Sequence, residues 1–283
     1  MNVRLTEAIS DVMGASGAAM IKAILDGERD TEVLVSYCHT SILNNKREIV
    51  LKALEGSYRE EHLFALRQAY ETWHYYQKMI DQCDAALEKQ LLETTKEMDE
   101  IDINGKRKPI RYNAPNIKNL PKHLLKLTNG NDPTGIAGIT DYTFLQIVSE
   151  VGTDLSAWKT EKHFVSWLKL APIKNSSGKT SRRVNVKRTN PACQLFRNAA
   201  QGLVTSKYLA LGSFARRIKA KRGSGVAIKA VARKIACFYY RTMTKGEVFV
   251  EKGIKQYEEA LKEKQKKYLI RMANKFDMEL VPK

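Results

Sequence analysis

The chain has 283 residues, 43% of them hydrophobic, and a formal net charge of +17 at neutral pH. A chain of this size can bury one large core or two smaller ones, and the charge excludes an acidic or evenly balanced surface. No apolar run reaches the ~18–20 residues that a membrane span requires, and the N-terminus lacks the apolar segment of a signal peptide. The four cysteines form no C-x-x-C pair, so free thiols and no zinc site are predicted. We therefore expect a soluble cytoplasmic protein that does not enter a membrane.

The first hundred residues predict a helical scaffold. Two helices are expected over 2–26, broken at the glycine-rich residues 14–17, and a third over 45–56. A long run without proline or glycine follows over 60–101. Its apolar residues recur at coiled-coil spacing: Leu63, Leu66, Tyr70, Trp73, Ile80, Leu87 and Leu91. This seam predicts either a helix packed on its own domain or a coiled coil that pairs two chains.

Residues 102–135 change in character, because four of the seven prolines of the chain occur there. We predict a linker with one short helix at 121–128, between a helical region (1–101) and a basic domain (136–283). The basic domain is expected to contain further helices and a polar basic loop at 171–190, with one short strand near 184–186. Those helices are predicted at 141–151, 160–170, 191–221, 225–243 and 248–275. The chain as a whole is predicted to be all-α.

Charge is distributed very unevenly along the chain. Residues 1–150 hold 18 Lys and Arg against 22 Asp and Glu, whereas residues 151–283 hold 30 against 9. Between Lys162 and Gly246 there are twenty Lys and Arg and no Asp or Glu. Such a stretch repels itself unless a polyanion neutralises it, and the usual polyanion is nucleic acid. It also cannot hold a carboxylate-bound metal ion of its own, because Mg²⁺ requires oxygen anions.

A weak sequence similarity between two segments of the chain suggests two hairpins of the helix-hairpin-helix type. A turn of small residues precedes an apolar helix both at residues 12–25 and at residues 136–149, and Thr140 replaces the second glycine in the later copy. In such a motif a glycine turn lets backbone N–H groups approach a phosphate. The alternative is an ordinary tight turn, which is common by chance.

Several segments of the chain, taken in order, carry a resemblance to a known family. They are DVMGASGAAMIKAILDGERD (11–30), LKALEGSYREEHLFALRQA (51–69), IAGITDYTFLQIVSEVG (136–152), SWLKLAPIKNSSGKT (166–180), RNAAQGLVTSKYLALGSFARRIKAKRG (197–223) and AIKAVARKIACFYYRTMTKG (227–246). This series resembles the transposase family of insertion sequences 110, 116 and 902, over essentially the whole chain. The resemblance implies a DNA transposase that acts as an oligomer with a structured guide RNA.

The resemblance also implies a catalytic residue. Family members supply a serine nucleophile from a Ser-Gly loop, which corresponds by position to Ser177, with Ser176 as the rival. Members also begin with a ribonuclease-H-like domain that presents carboxylates to Mg²⁺. The present sequence begins after that region, so we expect an N-terminally truncated protein in which Mg²⁺ enters only with the missing domain.

The cations expected to bind DNA lie in the basic stretch and are the following: Lys174, Lys179, Arg182, Arg183, Lys187, Arg188, Arg197, Lys207, Arg216, Arg217, Lys219, Lys221, Arg222, Lys229, Arg233 and Lys234. The aromatic residues at 238–240 are predicted to lie in the core rather than to stack on bases, given their helical spacing. The alternative function is a catalytically inactive remnant that binds nucleic acid, and the missing acidic domain favours it.

Overall fold

The computed structural model describes residues 1–103, 107–110, 113–171, 174–177, 180–183, 190–247, 254–276 and 278. Across these residues the fold is all-α, as predicted, with one small hairpin. The helices are α1 (Leu5–Ala8), α2 (Ala15–Leu25), α3 (Thr31–Ser36), α4 (Thr40–Leu54), α5 (Glu60–Thr95), α6 (Leu120–Leu127), α7 (Asp141–Val151), α8 (Glu161–Trp167), α9 (Pro191–Val204), α10 (Ala210–Arg222), α11 (Ser224–Lys245) and α12 (Ile254–Lys275). Strands β1 (Lys174–Ser177) and β2 (Thr180–Arg183) pair antiparallel.

Three helices of the basic half, α7, α8 and α9, begin at polar capping residues that the sequence supplies. The side chain of Thr140 accepts a hydrogen bond from the Thr143 amide, and that of Thr160 accepts one from the His163 amide. Asn190 accepts from the Cys193 amide at 2.7 Å, and Pro191 occupies the first turn of α9. Each cap satisfies an amide that the helix leaves without a partner, so these three starts are set locally.

The chain divides into two compact units, Met1–Cys83 and Asp84–Lys283. In the first unit a core forms between α1, α2, α3 and α4, and Leu63 and Leu66 of α5 pack against it. The two helices predicted over residues 2–26 are present, but the break between them lies at residues 9–14 rather than 14–17, because α2 begins at Ala15 and continues through Gly17. A Cβ on Gly17 would lie 2.1 Å from the carbonyl oxygen of Val12, so this glycine serves close backbone packing within the unit.

Helix α5 runs from Glu60 to Thr95, shorter than the predicted 60–101. Along the predicted seam, Leu91 is buried, whereas Ile80 is 50% exposed. The seam therefore packs within the protein at both ends of the helix and is open to solvent near its middle. Whether that open stretch pairs with a second chain stays a prediction.

The core of the second unit is rich in aromatic side chains. The ring of Tyr239 on α11 lies 6.3 Å from that of Phe164 and 5.6 Å from that of Phe196, measured between centroids. Tyr239 and Tyr240 are both buried, as the sequence predicted. Helix α11 packs against α8, α9 and α10, so it is the central element of this unit.

The predicted linker differs from the observed division of the chain. The two units separate within α5, after Cys83, and the described residues between 107 and 135 lie in the second unit. Leu120, Leu124 and Leu125 of α6 are buried there. This proline-containing segment therefore packs into the core of the second unit.

Two predicted elements of the basic half require correction. Residues 174–177 and 180–183 pair as two antiparallel strands, with Ser177 opposite Thr180, where a loop was expected. The strand predicted near 184–186 lies outside the described residues. The single helix predicted over 191–221 is two helices, α9 and α10, separated at residues 205–209.

Candidate nucleic-acid interface

Helices α9, α10 and α11 bury their apolar faces against one another and leave their cations at the surface. Leu211 and Ala215 of α10 are buried, whereas the basic residues on its other face are exposed. Those exposed residues are Arg216, Arg217, Lys219, Lys221 and Arg222. On α11, Lys229, Arg233 and Lys234 are half-buried. The helical spacing of these cations therefore places them on a common basic face of the helices.

Two cations near the C-terminal end of the basic stretch are neutralised by acids that flank it. The guanidinium of Arg241 donates to both carboxylate oxygens of Glu161, at 2.5 and 3.0 Å, and Lys245 lies 4.0 Å from Glu247. The hydrogen bond from Arg241 lowers the pKa of the Glu161 carboxyl and raises that of the guanidinium.

The predicted DNA-binding cations differ from that pair. Within the part of the chain that the structure describes, none of those on α9, α10 and α11 forms an ion pair with a carboxylate. Their charge is therefore available to an external anion.

Two cations lie close to the ring of Phe214 on α10. The ammonium of Lys234 lies 4.3 Å from the centre of its ring, and the guanidinium carbon of Arg217 lies 5.8 Å from it. Burial lowers the pKa of the Lys234 ammonium, and the charges of Arg217 and of Lys264 on α12 lower it further. Like charges are thus held close together, which is unfavourable in the free protein and favourable once an anion binds.

The loop between α9 and α10 carries an exposed aromatic residue, and hydrogen bonds hold the backbone of this loop in place. The Ser206 amide donates to the Leu203 carbonyl at 3.1 Å, and the Arg216 guanidinium donates to the Ser206 carbonyl. Gly212 lies against the same carbonyl, so the loop packs tightly on the first turn of α10. At its tip Tyr208 is 84% exposed. Tyr208 falls inside the single helix predicted over 191–221, so it was not expected in a loop.

The later of the two predicted hairpins, which precedes α7, is buried within its own unit. Gly138 has a φ of +88°, and a Cβ there would lie 2.7 Å from the carbonyl oxygen of Ala199 on α9. The Lys108 ammonium donates to the carbonyls of Thr134 and Ile136 at 2.5 and 2.6 Å. Internal packing therefore accounts for this glycine, and a phosphate contact at the hairpin stays a prediction.

The predicted nucleophile lies at the end of a strand. Ser177 is the last residue of β1 and pairs with Thr180, while Ser176 pairs with Ser181. Lys174, Arg182 and Arg183 belong to the same two strands. The remaining cations predicted around this loop and after it, Lys179, Lys187 and Arg188, lie outside the described residues. The fold thus brings the backbones of Ser177 and three predicted cations into one short hairpin.

The hairpin, α9 and the Tyr208 loop lie within one stretch of the sequence that matches a family model. Residues 134–209 match the family model of the IS116/IS110/IS902 transposases. This segment is similar to that transposase family. No curated protein matches the chain. The match covers about a quarter of the chain, less than the resemblance noted in the sequence.

The transposase segment begins at Thr134, before the buried hairpin, and ends at Leu209, directly after Tyr208. It includes Ser177 and excludes the exposed basic face of α10. Among the described residues, no group of three or more His, Cys, Asp or Glu is placed to hold a metal ion. None of the described helices combines the length and the apolar character needed to cross a bilayer.

Proposed function

We propose that this chain is the DNA-binding and strand-transferring part of an insertion-sequence transposase. The observation that carries the proposal is the coincidence of two features in one unit. A segment that matches the IS116/IS110/IS902 transposase family continues directly into α10 and α11, where the predicted DNA-binding cations form no ion pair with a carboxylate among the described residues.

The basic face of α10 and α11 is the part that holds the DNA backbone. Exposed Arg and Lys side chains bind phosphates and release the counterions condensed on the duplex. Contacts of this kind fix the register of the protein without reading the sequence. Arg217, Lys221 and Arg222 extend from the second half of α10, and Arg197 and Lys207 precede it on the transposase segment.

Ser177 is the proposed nucleophile, by the family resemblance. Its Oγ forms a bond to a phosphorus of the DNA backbone while the bond from that phosphorus to a deoxyribose oxygen breaks. The serine proton passes to a base, and the departing sugar oxygen takes up a proton, so that a phosphoserine link to DNA remains. Lys174, Arg182 and Arg183 supply the positive charge that the developing phosphoryl anion requires.

The residues of the basic stretch do not fit Mg²⁺, the ion that the family implies. Mg²⁺ binds carboxylate oxygens, and residues 162–246 contain none. The activating base and the metal-binding carboxylates are therefore assigned to another domain or chain. What this segment contributes is the nucleophile and the surrounding cations.

Two partners complete the proposal. A structured guide RNA, as the family resemblance implies, would bind the same electrostatic surface, because its phosphates carry the same charge. A second copy of the chain would pack along α5, where the predicted seam leaves Ile80 half-exposed.

Salt-dependent binding tests the proposed interface. Fluorescence anisotropy of a labelled duplex should give a plot of log K against log salt with a slope near −5, if about six phosphates are contacted. A combined Arg217→Gln and Arg222→Gln variant should reduce that slope by about 2. As a matched control, Arg47→Gln, which removes an exposed cation from the first unit, should leave it unchanged. A slope near zero for the parent chain would overturn the proposal.

A further inference from the structure

We propose that Tyr208 is a stacking platform for an unpaired nucleobase, so that the interface takes single-stranded nucleic acid as well as duplex. The inference rests on the proposed nucleic-acid interface and names the form of the ligand that the loop recognises. It is carried by the exposure of this side chain, the fixed geometry of its loop and the charge around it.

The exposure of Tyr208 does not by itself indicate a binding site, because single exposed aromatic residues occur on many surfaces. Its value of 84% is nevertheless far above those of Tyr75 and Tyr76, which are 60% and 61% exposed on α5. A tyrosine this exposed leaves most of its side chain open to solvent. Such a ring can accept the flat face of a base, and every base has one, so the contact does not depend on sequence.

The loop that carries Tyr208 is held at both ends. Ser206 is bonded through its amide to Leu203 and through its carbonyl to Arg216. The Ser213 amide donates to the carbonyl of Leu209 at 3.1 Å, and Gly212 allows the loop backbone to approach α10. A ring on a backbone that is already ordered loses little conformational entropy on binding, which favours recognition.

The surroundings of Tyr208 select a negatively charged partner. Lys207 precedes it and is exposed, and Arg216 is anchored to the same loop. The stretch from Lys162 to Gly246 contains no Asp or Glu to compete for these cations. Cations that grip a backbone beside an aromatic ring that stacks on bases are the arrangement that binds single strands. In a duplex the bases are stacked on one another and cannot reach the ring.

The experiment compares three labelled probes of one sequence by fluorescence anisotropy at fixed salt: a 16-nucleotide DNA single strand, the RNA single strand and the DNA duplex. Tyr208→Ala should weaken binding of the single strands by about 5-fold to 100-fold and leave duplex binding within about 2-fold. Tyr208→Phe should bind as the parent does, because the ring is kept. The DNA and RNA arms decide which strand supplies the base.

Two controls separate this inference from the proposed function. Lys207→Met should weaken single strands and duplex alike and reduce the salt slope by about 1, because it removes a phosphate contact. Tyr37→Ala, at a 46% exposed tyrosine of the first unit, should change nothing. Equal binding of single strands by the parent and Tyr208→Ala would overturn the stacking role while leaving the interface intact. A parent chain that binds no probe in a salt-dependent way would overturn the interface itself.

Discussion

Gly212 lies so close to Ser206 that a Cβ built on the glycine would stand 2.1 Å from the Ser206 carbonyl oxygen. The obstructing atom belongs to the backbone, so it cannot rotate away as a side chain could. We expect Gly212→Ala to displace the loop that carries Tyr208 and to lower the free energy of unfolding by about 1–3 kcal/mol. Urea denaturation measures this loss.

The neighbouring helix offers a matched control for that change. Among the described residues, nothing lies within 4 Å of the Cβ position of Gly202 on α9. Gly202→Ala should therefore raise stability by about 0.5–1 kcal/mol, because alanine favours the helix. If Gly212→Ala proved as stable as Gly202→Ala, the loop would not be held as described.

Tyr239 and Tyr240 are adjacent on α11 and should respond in opposite ways to loss of the hydroxyl. The buried Tyr239 hydroxyl has no hydrogen-bond partner among the described residues, and burial raises its pKa. Tyr239→Phe should raise the free energy of unfolding by about 1 kcal/mol, since the cost of an unpaired buried group disappears. The Tyr240 hydroxyl donates to the Trp158 carbonyl at 2.5 Å. Tyr240→Phe removes this hydrogen bond and should lower the free energy of unfolding by a similar amount. Chemical denaturation of both variants checks the contrast.

Lys234 should lower the stability of the folded protein and strengthen its binding to DNA. Its folded-state pKa is lowered, so its charged form destabilises the fold, and stability gains from its deprotonation as pH rises through that lowered value. Lys234→Met should keep or raise the melting temperature and lose that gain at alkaline pH. It should also reduce the salt slope of DNA binding by about 1. A lower melting temperature together with unchanged binding would mean that Lys234 is structural.

Ser177 should form a covalent link to DNA only when the acidic domain is supplied. The isolated chain should bind DNA without cutting it, because residues 162–246 contain no carboxylate to activate a hydroxyl. With a family acidic domain, guide RNA and Mg²⁺ added in trans, denaturing gels should show a protein–DNA adduct. Ser177→Ala should abolish the adduct while binding survives. Loss of the adduct in Ser176→Ala instead would reassign the nucleophile, and no adduct in any assembly would favour the binding-only alternative.

The exposed middle of α5 should mediate self-association. Ile80 is 50% exposed, so Ile80→Asp can disrupt a contact with a second chain without disturbing a core. Leu66 is less suitable, because it packs against the core of the first unit. Sedimentation at tens of micromolar should show oligomer for the parent and monomer for Ile80→Asp. Phe64→Asp, at an exposed position outside the seam, should remain oligomeric. A monomeric parent would make the seam an intradomain feature only.

The sequence alone determined the helical class, most helix positions and the location of the basic face. These features depend on local patterns. Apolar spacing marks the buried side of α7 and α11, and caps such as Thr140 fix a helix start within four residues. The absence of acids between residues 162 and 246 is likewise a property of composition, and it needed no structure to indicate a polyanion.

The tertiary structure decided where distant backbones approach one another. The helix predicted over 191–221 divides at residues 205–209, where the backbone of Ser206 packs on Gly212. A glycine is required at position 138 because the backbone there meets Ala199 on α9. The predicted linker joins the second unit because α6 buries its leucines there. Glycine and proline mark irregular backbone in a sequence but do not specify which atoms they approach. The contacts of Gly138 and of α6 form between segments far apart in the chain, whereas Tyr208 is placed by contacts of Ser206 with residues no more than ten positions away.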